Sequence, residues 1–314
     1  MKKVVFALIA LVFAVGTAAQ ESQTAYNFLR LPVSAHVSAL GGDNISIIED
    51  DPTLIFHNPA LIGGVSDKSI NLNYMTYMKG TKSASASFVK AAGDLATWGV
   101  LAQYMDYGDI IETSIDGTRQ GKVSAKDIVV GGTFQYNLSG LWSGGITAKF
   151  VSSSLAGYNS IALGVDLGLN YYDEETGWSL SATAKNLGGQ VKAYNDDYEK
   201  IPLDLQVGVS KEFGKAPIRL SVTMSRLNNW EGRFINHFAL GADVFISRNI
   251  YIAGGYNFRR ADEMKISDGE NSSAHGAGLS VGGGLQLQRF KLNVAYAKYH
   301  VSATSLLFNV TYSL

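Results

Sequence analysis

The sequence of 314 residues contains no cysteine, so neither a disulfide bond nor a thiolate metal site can form. Its formal net charge is -1, which removes the electrostatic basis for binding nucleic acid. Beyond the first 19 residues no stretch approaches 18 consecutive apolar residues, so a membrane-spanning helix is not expected there. Proline is scarce at 5 residues, whereas the chain has 34 glycines, 16 tyrosines and 14 phenylalanines. This composition is typical of a sheet of many strands with aromatic girdles.

The first residues have the pattern of an export signal. Lys2 and Lys3 precede an apolar run over residues 4–15, and small residues follow it up to Ala19, after which we expect cleavage. An N-terminal membrane anchor is the alternative, but the apolar run is shorter than the roughly 20 residues that a spanning helix needs. No cysteine follows the cleavage site, so a lipidated N-terminus is not expected.

The last ten residues alternate apolar and small polar side chains up to the carboxylate. One face of such a strand would carry Leu306, Phe308, Val310, Tyr312 and Leu314. A soluble sheet rarely ends in such an unprotected edge. In a closed barrel the last strand pairs with the first, and its apolar face can meet lipid. The end of the chain therefore predicts a barrel in the bacterial outer membrane.

From residue 69 onward about fourteen segments show the same alternation, which predicts an all-β fold: a transmembrane antiparallel barrel of about 14 strands. Long polar connections are predicted at 106–126, 188–202, 228–235 and 260–275, and short ones at 137–141, 173–177, 214–217, 247–249 and 288–290. Alternating long outer loops and tight periplasmic turns are typical of outer-membrane barrels. A soluble β-sandwich has no reason to alternate its loop lengths strictly.

The segment before the first predicted strand is too apolar for a disordered linker and carries the motif Asn58-Pro59-Ala60. Pro59 fixes φ and lacks a backbone donor, and Asn58 can cap a turn or helix that begins there. A barrel of about fourteen strands is too wide to be closed by its own side chains. We therefore expect the segment to fold into the lumen as a plug, or hatch. The expected division is a signal peptide (1–19), a hatch (20–68) and a barrel (69–314).

An N-terminal hatch with an Asn-Pro-Ala motif ahead of a fourteen-stranded barrel resembles the FadL group of outer-membrane proteins. A narrower resemblance, to the PorV/PorQ barrels of the type IX secretion system, rests on residues 26–35, 40–42, 51–52, 57–61, 71–74, 185–189 and 203–208. The Asn-Pro-Ala motif alone indicates only the wider group, whereas the string 26–35 is more specific. The narrower resemblance implies a component of the cell-surface attachment machinery that holds a PorZ-like protein, with PorU and PorV in one complex. It also implies lipopolysaccharide, besides membrane lipid, among the partners.

No catalytic, cofactor or metal site is expected. The five histidines lack metal-ligand spacing, and neither Asp50-Asp51 nor Asp196-Asp197 lies in a calcium-binding loop. Gly276 and Gly278 and the three glycines at 282–284 follow strand periodicity with no helix after them, which favours close packing against the hatch over nucleotide binding. No serine lies in a nucleophile elbow with partners in a plausible order. The sequence therefore favours a protein that is not an enzyme.

Two functional classes remain: an anchor whose outer loops hold a surface protein, and a FadL-like conduit for a hydrophobic small molecule. A PorV-like carrier that escorts cargo is a third reading. The loops 188–202 and 228–235 combine aromatic and charged residues as protein interfaces do, and Tyr194, Tyr198 and Trp230 are the expected docking residues. Alternatively, these aromatics belong to the membrane girdle. A conduit would need a large apolar pocket at the outer mouth, so these polar loops favour the anchor.

Overall fold

The computed structural model describes residues 24–78, 80–114, 118–195, 197–214, 216–267, 272–273, 276–300 and 303–314. The predicted signal peptide lies outside this part of the chain. Within it, fourteen antiparallel strands hydrogen-bond into one closed barrel, which confirms the predicted fold class. None of the described helices is long and apolar enough to cross a membrane.

The strands follow one another around the barrel in chain order, so each pairs with its sequence neighbours. The barrel strands are β1 Ser69–Thr76, β2 Lys82–Ala92, β3 Ala96–Thr113, β4 Arg119–Asn137, β5 Trp142–Leu155, β6 Tyr158–Asp173, β7 Trp178–Lys192, β8 Asp204–Phe213, β9 Ile218–Met224, β10 Phe238–Phe245, β11 Ile250–Asn257, β14 Leu279–Gln286, β15 Phe290–His300 and β16 Ala303–Ser313. Two short strands, β12 Ile266–Ser267 and β13 Ser272–Ser273, form a separate hairpin.

The barrel closes between its first and last strands. In the antiparallel β1–β16 pair, Tyr312 lies opposite Ile70 and Phe308 lies opposite Tyr74. The side chains of Phe308, Val310, Tyr312 and Leu314 are exposed on the outer surface, whereas those of Leu307, Asn309 and Thr311, which alternate with them, are buried. The terminal strand therefore leaves no free edge, which is the condition for a sheet to lie in hydrocarbon.

Along the strands, apolar side chains point outward and polar side chains point into the lumen. Val100 and Phe134 are 46% and 48% exposed, while Gln103 and Thr133 are buried. So many exposed large apolar side chains would be an aggregation hazard in water, but lipid covers them in a membrane. The protein is therefore a multi-pass β-barrel of the outer membrane.

The prediction of a long loop over 106–126 is wrong. β3 and β4 continue past the rest of the sheet as a hairpin, with Asp109 opposite Ser124 and Thr113 opposite Arg119. The pairing shifts register between Asp106 and Asp109 and again between Glu112 and Thr113. These shifts accommodate the departures of this segment from strict apolar–polar alternation. Beyond the hydrocarbon layer the two strands still hydrogen-bond to each other's backbone, and their polar side chains can lie in water. The hairpin therefore projects beyond the adjacent strands.

The strict alternation of long and short connections is also wrong. The short turns are confirmed, but on the long-loop side β5 and β6 are joined by only Ala156 and Gly157. Both residues have positive φ, 50° and 88°, as the two-residue turn of a twisted hairpin requires. The long connections on that side each adjoin at least one short strand, between β7 and β8, β9 and β10, and β11 and β14. The other predicted loops begin or end inside elements: β7 extends to Lys192, and an α-helix spans Phe258–Glu263.

Residues 24–68 pack inside the barrel as the hatch, in short helices joined by turns. The elements are 3-10 helices Asn27–Arg30, Pro52–Phe56 and Pro59–Gly64 and the α-helix Ala35–Ala39. Fully buried hatch residues such as Ile47 and Leu54 belong to one apolar cluster with Tyr251 and Leu307 of the wall. Burying a side chain of this size stabilises a fold by about 1.5–3 kcal/mol. The hatch is therefore held as part of the folded core.

Close backbone packing of the glycines at 282–284 against the hatch is confirmed at Gly282. A Cβ there would lie 2.7 Å from the Cβ of Ala39 in the hatch. At Gly283 and Gly284 the nearest atoms belong to other wall strands, so these two glycines let the wall pack against itself. At Gly278 the nearest atoms belong to Ala261 and to the wall residue Tyr256, so the packing prediction is wrong at this position.

Candidate functional site

The Asn58-Pro59-Ala60 motif begins the last helix of the hatch. Oδ1 of Asn58 accepts a hydrogen bond from the backbone N of Ala60 (3.0 Å), and Nδ2 donates to the carbonyl O of Ile45 (3.0 Å). Pro59 occupies the first position of the helix, where its missing N–H costs nothing. Asn58 thus caps one segment of the hatch and ties it to another.

Where the wall contacts the motif, it has glycines at two positions. A Cβ on Gly145 would collide with the backbone of Pro59, and a Cβ on Gly168 would collide with the side chain of Asn58. These two glycines lie on β5 and β6, so the motif rests directly on the sheet. Larger residues there would push the hatch out of its seat.

A cluster of charged side chains joins the hatch to β9 and β10. Nδ1 of His36, on the hatch α-helix, is 2.6 Å from Oε2 of Glu49, and its Nε2 is 2.7 Å from Oδ1 of Asp243. Arg219 donates from Nε to Oδ2 of Asp243 (2.7 Å) and from Nη1 to the carbonyl O of Ile48 (3.1 Å). The wall residues of this cluster thus hold two separate parts of the hatch.

The charges of this cluster and its burial shift the pKa values of hatch residues in and beside it. Burial alone would lower the pKa of His36, but the carboxylates of Glu49 and Asp243 outweigh burial and raise it to about 9. His36 is therefore a cation at neutral pH, and its ring stacks on that of Tyr251 with centroids 4.1 Å apart. Burial, reinforced by the charge of Glu49, raises the pKa of the Asp51 carboxyl to about 6.

A second buried ion pair lies entirely within the wall. Nζ of Lys149 on β5 is 2.6 Å from Oδ2 of Asp166 on β6 and donates to Oδ1 of Asn186 at 2.7 Å. Asn186 has a positive φ of 59°, and its backbone N donates to Oδ1 of Asp166 (2.7 Å). This pair fixes the local bulge between β6 and β7 and does not bond to the hatch.

Four cavities follow one another from the outer mouth to the lipid face. A cup of about 420 Å³ at the mouth, the outer-mouth cup, shares Arg30, Leu31 and Asp43 with a polar lumen cavity of about 20 Å³. That cavity shares Leu29 and Leu31 with a second lumen cavity of about 20 Å³. The hatch segment 29–31 therefore lines three successive spaces.

The second lumen cavity lies behind an apolar groove on the lipid face. This wall groove has a volume of about 890 Å³ and is formed on β1–β6 around small residues such as Ala102 and Gly132. Leu101 and Lys149 line both spaces. Because these two residues belong to the sheet, one thickness of sheet separates the lumen from the groove. The β3–β4 ladder is unbroken here, so the wall is closed.

The three predicted docking residues occupy different environments. Tyr194 is half-buried, packs near Tyr26 with ring centroids 6.4 Å apart and hydrogen-bonds to the Ser153 hydroxyl. Tyr198 and Trp230 are 67% and 57% exposed on the outer loops. The Trp230 ring stacks on Phe234, with centroids 6.1 Å apart. Two of the three predicted docking residues, Tyr198 and Trp230, are thus exposed to solvent on the outer loops.

Among the described residues, no group of three or more histidines and carboxylates is placed to hold a metal ion. The ion pairs of His36 are not apparent from the sequence, where the spacing of the histidines bears only on metal binding. One signal was available, because Arg219 and Asp243 are charged residues at lumen-facing positions of predicted strands. Their pairing across β9 and β10 depends on the register, which the sequence does not state.

Comparison with known proteins supports the architecture. No family model matches the chain, and no curated protein matches it significantly. Among solved structures, the Pseudomonas putida toluene transporter TodX matches with a TM-score of 0.58 and 13% identity, over 90% of this chain and 96% of that one. The CymD monoaromatic hydrocarbon channel matches with 0.58 and 14%, over 92% and 99%. A Pseudomonas aeruginosa FadL homologue matches with 0.51 and 10%, over 89% and 98%.

These likenesses show that the chain has the FadL-type outer-membrane barrel fold. At such low identity they show the fold alone. Of the matched proteins, TodX is a transporter and CymD is a channel.

Proposed function

We propose that this protein is a non-enzymatic outer-membrane conduit for small hydrophobic compounds, held closed here by its hatch. The observation that carries the proposal is the series of four cavities that share lining residues from the outer-mouth cup to the wall groove. The matched structures include a toluene transporter and a monoaromatic hydrocarbon channel, which supports an apolar substrate. An apolar groove in the lipid face is a suitable exit for such a compound.

The narrowest part of the series is formed by the hatch. The two lumen cavities of about 20 Å³ each have room for about one water molecule, so a hydrocarbon cannot pass in this conformation. Leu29 and Leu31 lie between the cavities. Movement of this segment, together with local opening of the wall, is the step that the proposal requires.

Toluene uptake by cells with an intact outer membrane tests the conduit. We expect the protein to accelerate uptake, and the double variant Leu29→Ala with Leu31→Ala to accelerate it further by enlarging the constriction. The matched control is Leu138→Ala with Leu141→Ala, which removes the same atoms from an exposed periplasmic turn. Uptake that is equal with and without the protein would reject the conduit.

Loosening the hatch motif gives a second test. Asn58→Leu with Pro59→Gly removes the cap and the fixed φ, and loss of a cap costs about 0.5–2 kcal/mol. We expect normal membrane insertion but increased conductance to small solutes in planar bilayers. Unchanged conductance would mean that the motif does not hold an occluding hatch.

A second candidate function is a surface-protein anchor of the PorQ kind in the type IX secretion system. The specific observation in its favour is the exposure of Tyr198 and of the stacked Trp230 on the outer loops. Rigid aromatics of this kind can contribute about 2 kcal/mol or more each to a protein interface. In this reading the hatch simply seals the barrel, and the loops hold a PorZ-like partner near PorU, PorV and lipopolysaccharide.

Recovery of partners from outer membranes separates the two candidates. We expect a tagged anchor to retain one large surface protein, and Tyr198→Ala with Trp230→Ala to release it. The control is Leu155→Ala with Tyr158→Ala, which truncates an exposed apolar and aromatic pair beside the β5–β6 turn. Recovery of many secreted proteins instead would indicate a PorV-like carrier. Full retention by the Tyr198/Trp230 variant would exclude docking through these two residues.

A further inference from the structure

Three aromatic rings, which we term the aromatic ladder, follow one another where the β9–β10 loop enters β10. The Trp230 ring stacks on that of Phe234, with centroids 6.1 Å apart and an interplanar angle of 5°. Phe234 in turn meets Phe238 edge to face, with centroids 5.3 Å apart. Trp230 and Phe234 are both exposed, so the ladder presents an open apolar surface. A contiguous surface of this kind marks an interaction site.

One end of the ladder belongs to the lipid face of the barrel. Phe238 is the first residue of β10, and Leu240, which points to the same side of the strand, is exposed on the outer surface. The residues of β10 that alternate with them face the lumen. Asp243 is buried, and a Cβ on Gly241 would collide with Leu40 of the hatch. The ladder therefore continues the lipid-facing surface from the strand into the loop.

The strands next to the ladder are too short to cross the apolar layer alone. β9 and β10 contain 7 and 8 residues, whereas a strand that crosses a bilayer at a tilt has about 9–11. Eight residues extend about 27 Å along a strand, and a tilt of about 40° reduces this to about 21 Å of height, less than the apolar band of about 25 Å. This wall therefore needs further apolar surface beyond its strand ends, and Phe234 and Trp230 provide it at the outer end.

The four tryptophans of the chain are distributed as interfacial side chains. Trp98, Trp142 and Trp178 lie near the starts of β3, β5 and β7, beside the short periplasmic turns, and are exposed on the outer surface of the barrel. Trp230 lies at the opposite end, in an outer loop. Because tryptophan is enriched at both membrane–water interfaces, this distribution places the aromatic ladder at the level of the outer headgroups.

The loop that carries the ladder is fixed on its inner side. His237 is buried against the Trp230 ring, with centroids 4.6 Å apart, and its Nδ1 lies 2.9 Å from the carbonyl O of Ser225. Nδ2 of Asn236 donates to Oδ2 of Asp262 (2.8 Å) on the neighbouring α-helix. Rings that are already held in place lose little conformational freedom when they are covered.

We propose that Trp230 and Phe234 form a lipid-binding surface that inserts into the outer leaflet at the boundary between headgroups and acyl chains. Lipid is the occupant because the ladder continues a surface that lipid already covers. The exposed charged residues Glu231 and Arg233 lie between the two rings in the chain and suit the polar side of this boundary. A ring that lies in lipid is not available to a surface protein, so this assignment counts against docking through Trp230. It does not depend on whether the barrel conducts hydrocarbons.

Fluorescence quenching in lipid vesicles tests the proposal. Trp98→Phe with Trp142→Phe and Trp178→Phe leaves Trp230 as the single tryptophan of the chain. The variant is reconstituted in phosphatidylcholine that carries bromine either near the headgroup or near the ends of the acyl chains. We expect strong quenching by bromine near the headgroup, weaker quenching by the deeper bromine, and little quenching by aqueous iodide.

Two further single-tryptophan variants are the matched controls. Retaining only Trp98 gives the quenching of a ring on the lipid face. Ile111→Trp, with all four native tryptophans replaced by phenylalanine, gives that of a ring on the β3–β4 hairpin beyond the membrane. Heat-modifiable migration verifies assembly. If the triple variant does not assemble, the difference between the unmodified protein and Trp230→Phe isolates the contribution of Trp230.

Bromine quenching of Trp230 comparable to that of Trp98 would support the lipid-binding surface. Iodide quenching equal to that of the hairpin control, with no quenching by either brominated lipid, would overturn it. The rings would then lie in water and be free to hold a surface protein.

Discussion

The two walls of the barrel hold the hatch by different means. Strands β3–β7, which we term the tall wall, contain 14 to 19 residues each, whereas β8–β11 and β14, the short wall, contain 7 to 10. Against the tall wall the hatch packs apolar side chains, such as Phe28 in one cluster with Met105 and Val129. Against the short wall it also forms an ion pair, between His36 and Asp243, and accepts a hydrogen bond from Arg219 at the Ile48 carbonyl.

The buried charges of the two walls differ in the same way. Lys149 and Asp166 of the tall wall pair with each other, so their charges are satisfied without the hatch. Asp243 of the short wall shares its charge between Arg219 and the hatch residue His36. Apolar contacts resist separation regardless of pH, whereas the ion cluster is sensitive to protonation. The short wall is thus the side at which the hatch can be released chemically.

Deleting most of β16, the strand that closes the barrel against β1, should prevent the whole barrel from assembling, both walls included. Deletion of residues 308–314 leaves two strand edges in hydrocarbon, where each unpaired backbone group costs several kcal/mol, so we expect no assembled barrel. Tyr312→Asp, which places a charge on the lipid face near the interface, should impair assembly less severely. Heat-modifiable migration of outer-membrane fractions measures the effect. Normal migration of the truncated protein would contradict the closed barrel.

Asp243→Asn should give the largest effect that leaves the barrel intact. Removing one partner of a buried charge cluster typically costs about 3–5 kcal/mol, because the remaining charges stay buried. We expect urea unfolding at a lower concentration and faster hydrogen exchange in residues 34–40. Asp109→Asn is the control, since its pair with Lys122 is exposed and contributes at most about 1 kcal/mol. Equal effects of the two changes would show that the cluster does not hold the hatch.

The hatch should loosen as the pH rises from about 6.5 to above 9. Because the pKa of His36 is raised to about 9, its stabilising charge is fully present below its unfolded pKa and is lost as the pH passes 9. Glu49, Asp243, Arg219 and Tyr251 surround the ring. Conductance in planar bilayers between pH 7 and 10 measures the opening.

His36→Gln separates this titration from that of other groups. A neutral side chain cannot titrate, so we expect this variant to conduct more at pH 7 and to show a flatter pH profile. A profile as steep as that of the unmodified protein would assign the transition to another group.

The sequence predicts the parts of this architecture that depend on local pattern. The alternation of apolar and polar residues marks the strands and the outward face of Phe308, Val310 and Tyr312. The Asn58-Pro59 pair similarly marks the start of a short helix, because capping and fixed φ act within a few residues. These features need no knowledge of distant contacts.

The sequence does not predict features that depend on register or on surroundings outside the membrane. His36 and Asp243 are 207 positions apart and meet only when the barrel closes around the hatch. Residues 106–126 read as a loop because they are polar, yet the two strands continue where water replaces lipid. The outer-mouth cup likewise combines Arg30 of the hatch with Arg226 and Arg259 of separate loops.

A conservative change in the hatch, where it packs against Leu101 of the tall wall, should have the smallest effect. Ile62 is fully buried in one cluster with Val89 and Leu101, with no charged group in that cluster. Ile62→Val removes one methylene, which costs about 0.5–1.5 kcal/mol. We expect a small decrease in urea resistance that is the same at pH 7 and pH 9.5, because the lost contact carries no charge. A loss that grows with pH would show that the two walls are coupled through the hatch, and the contrast between apolar and ionic attachment would then no longer hold.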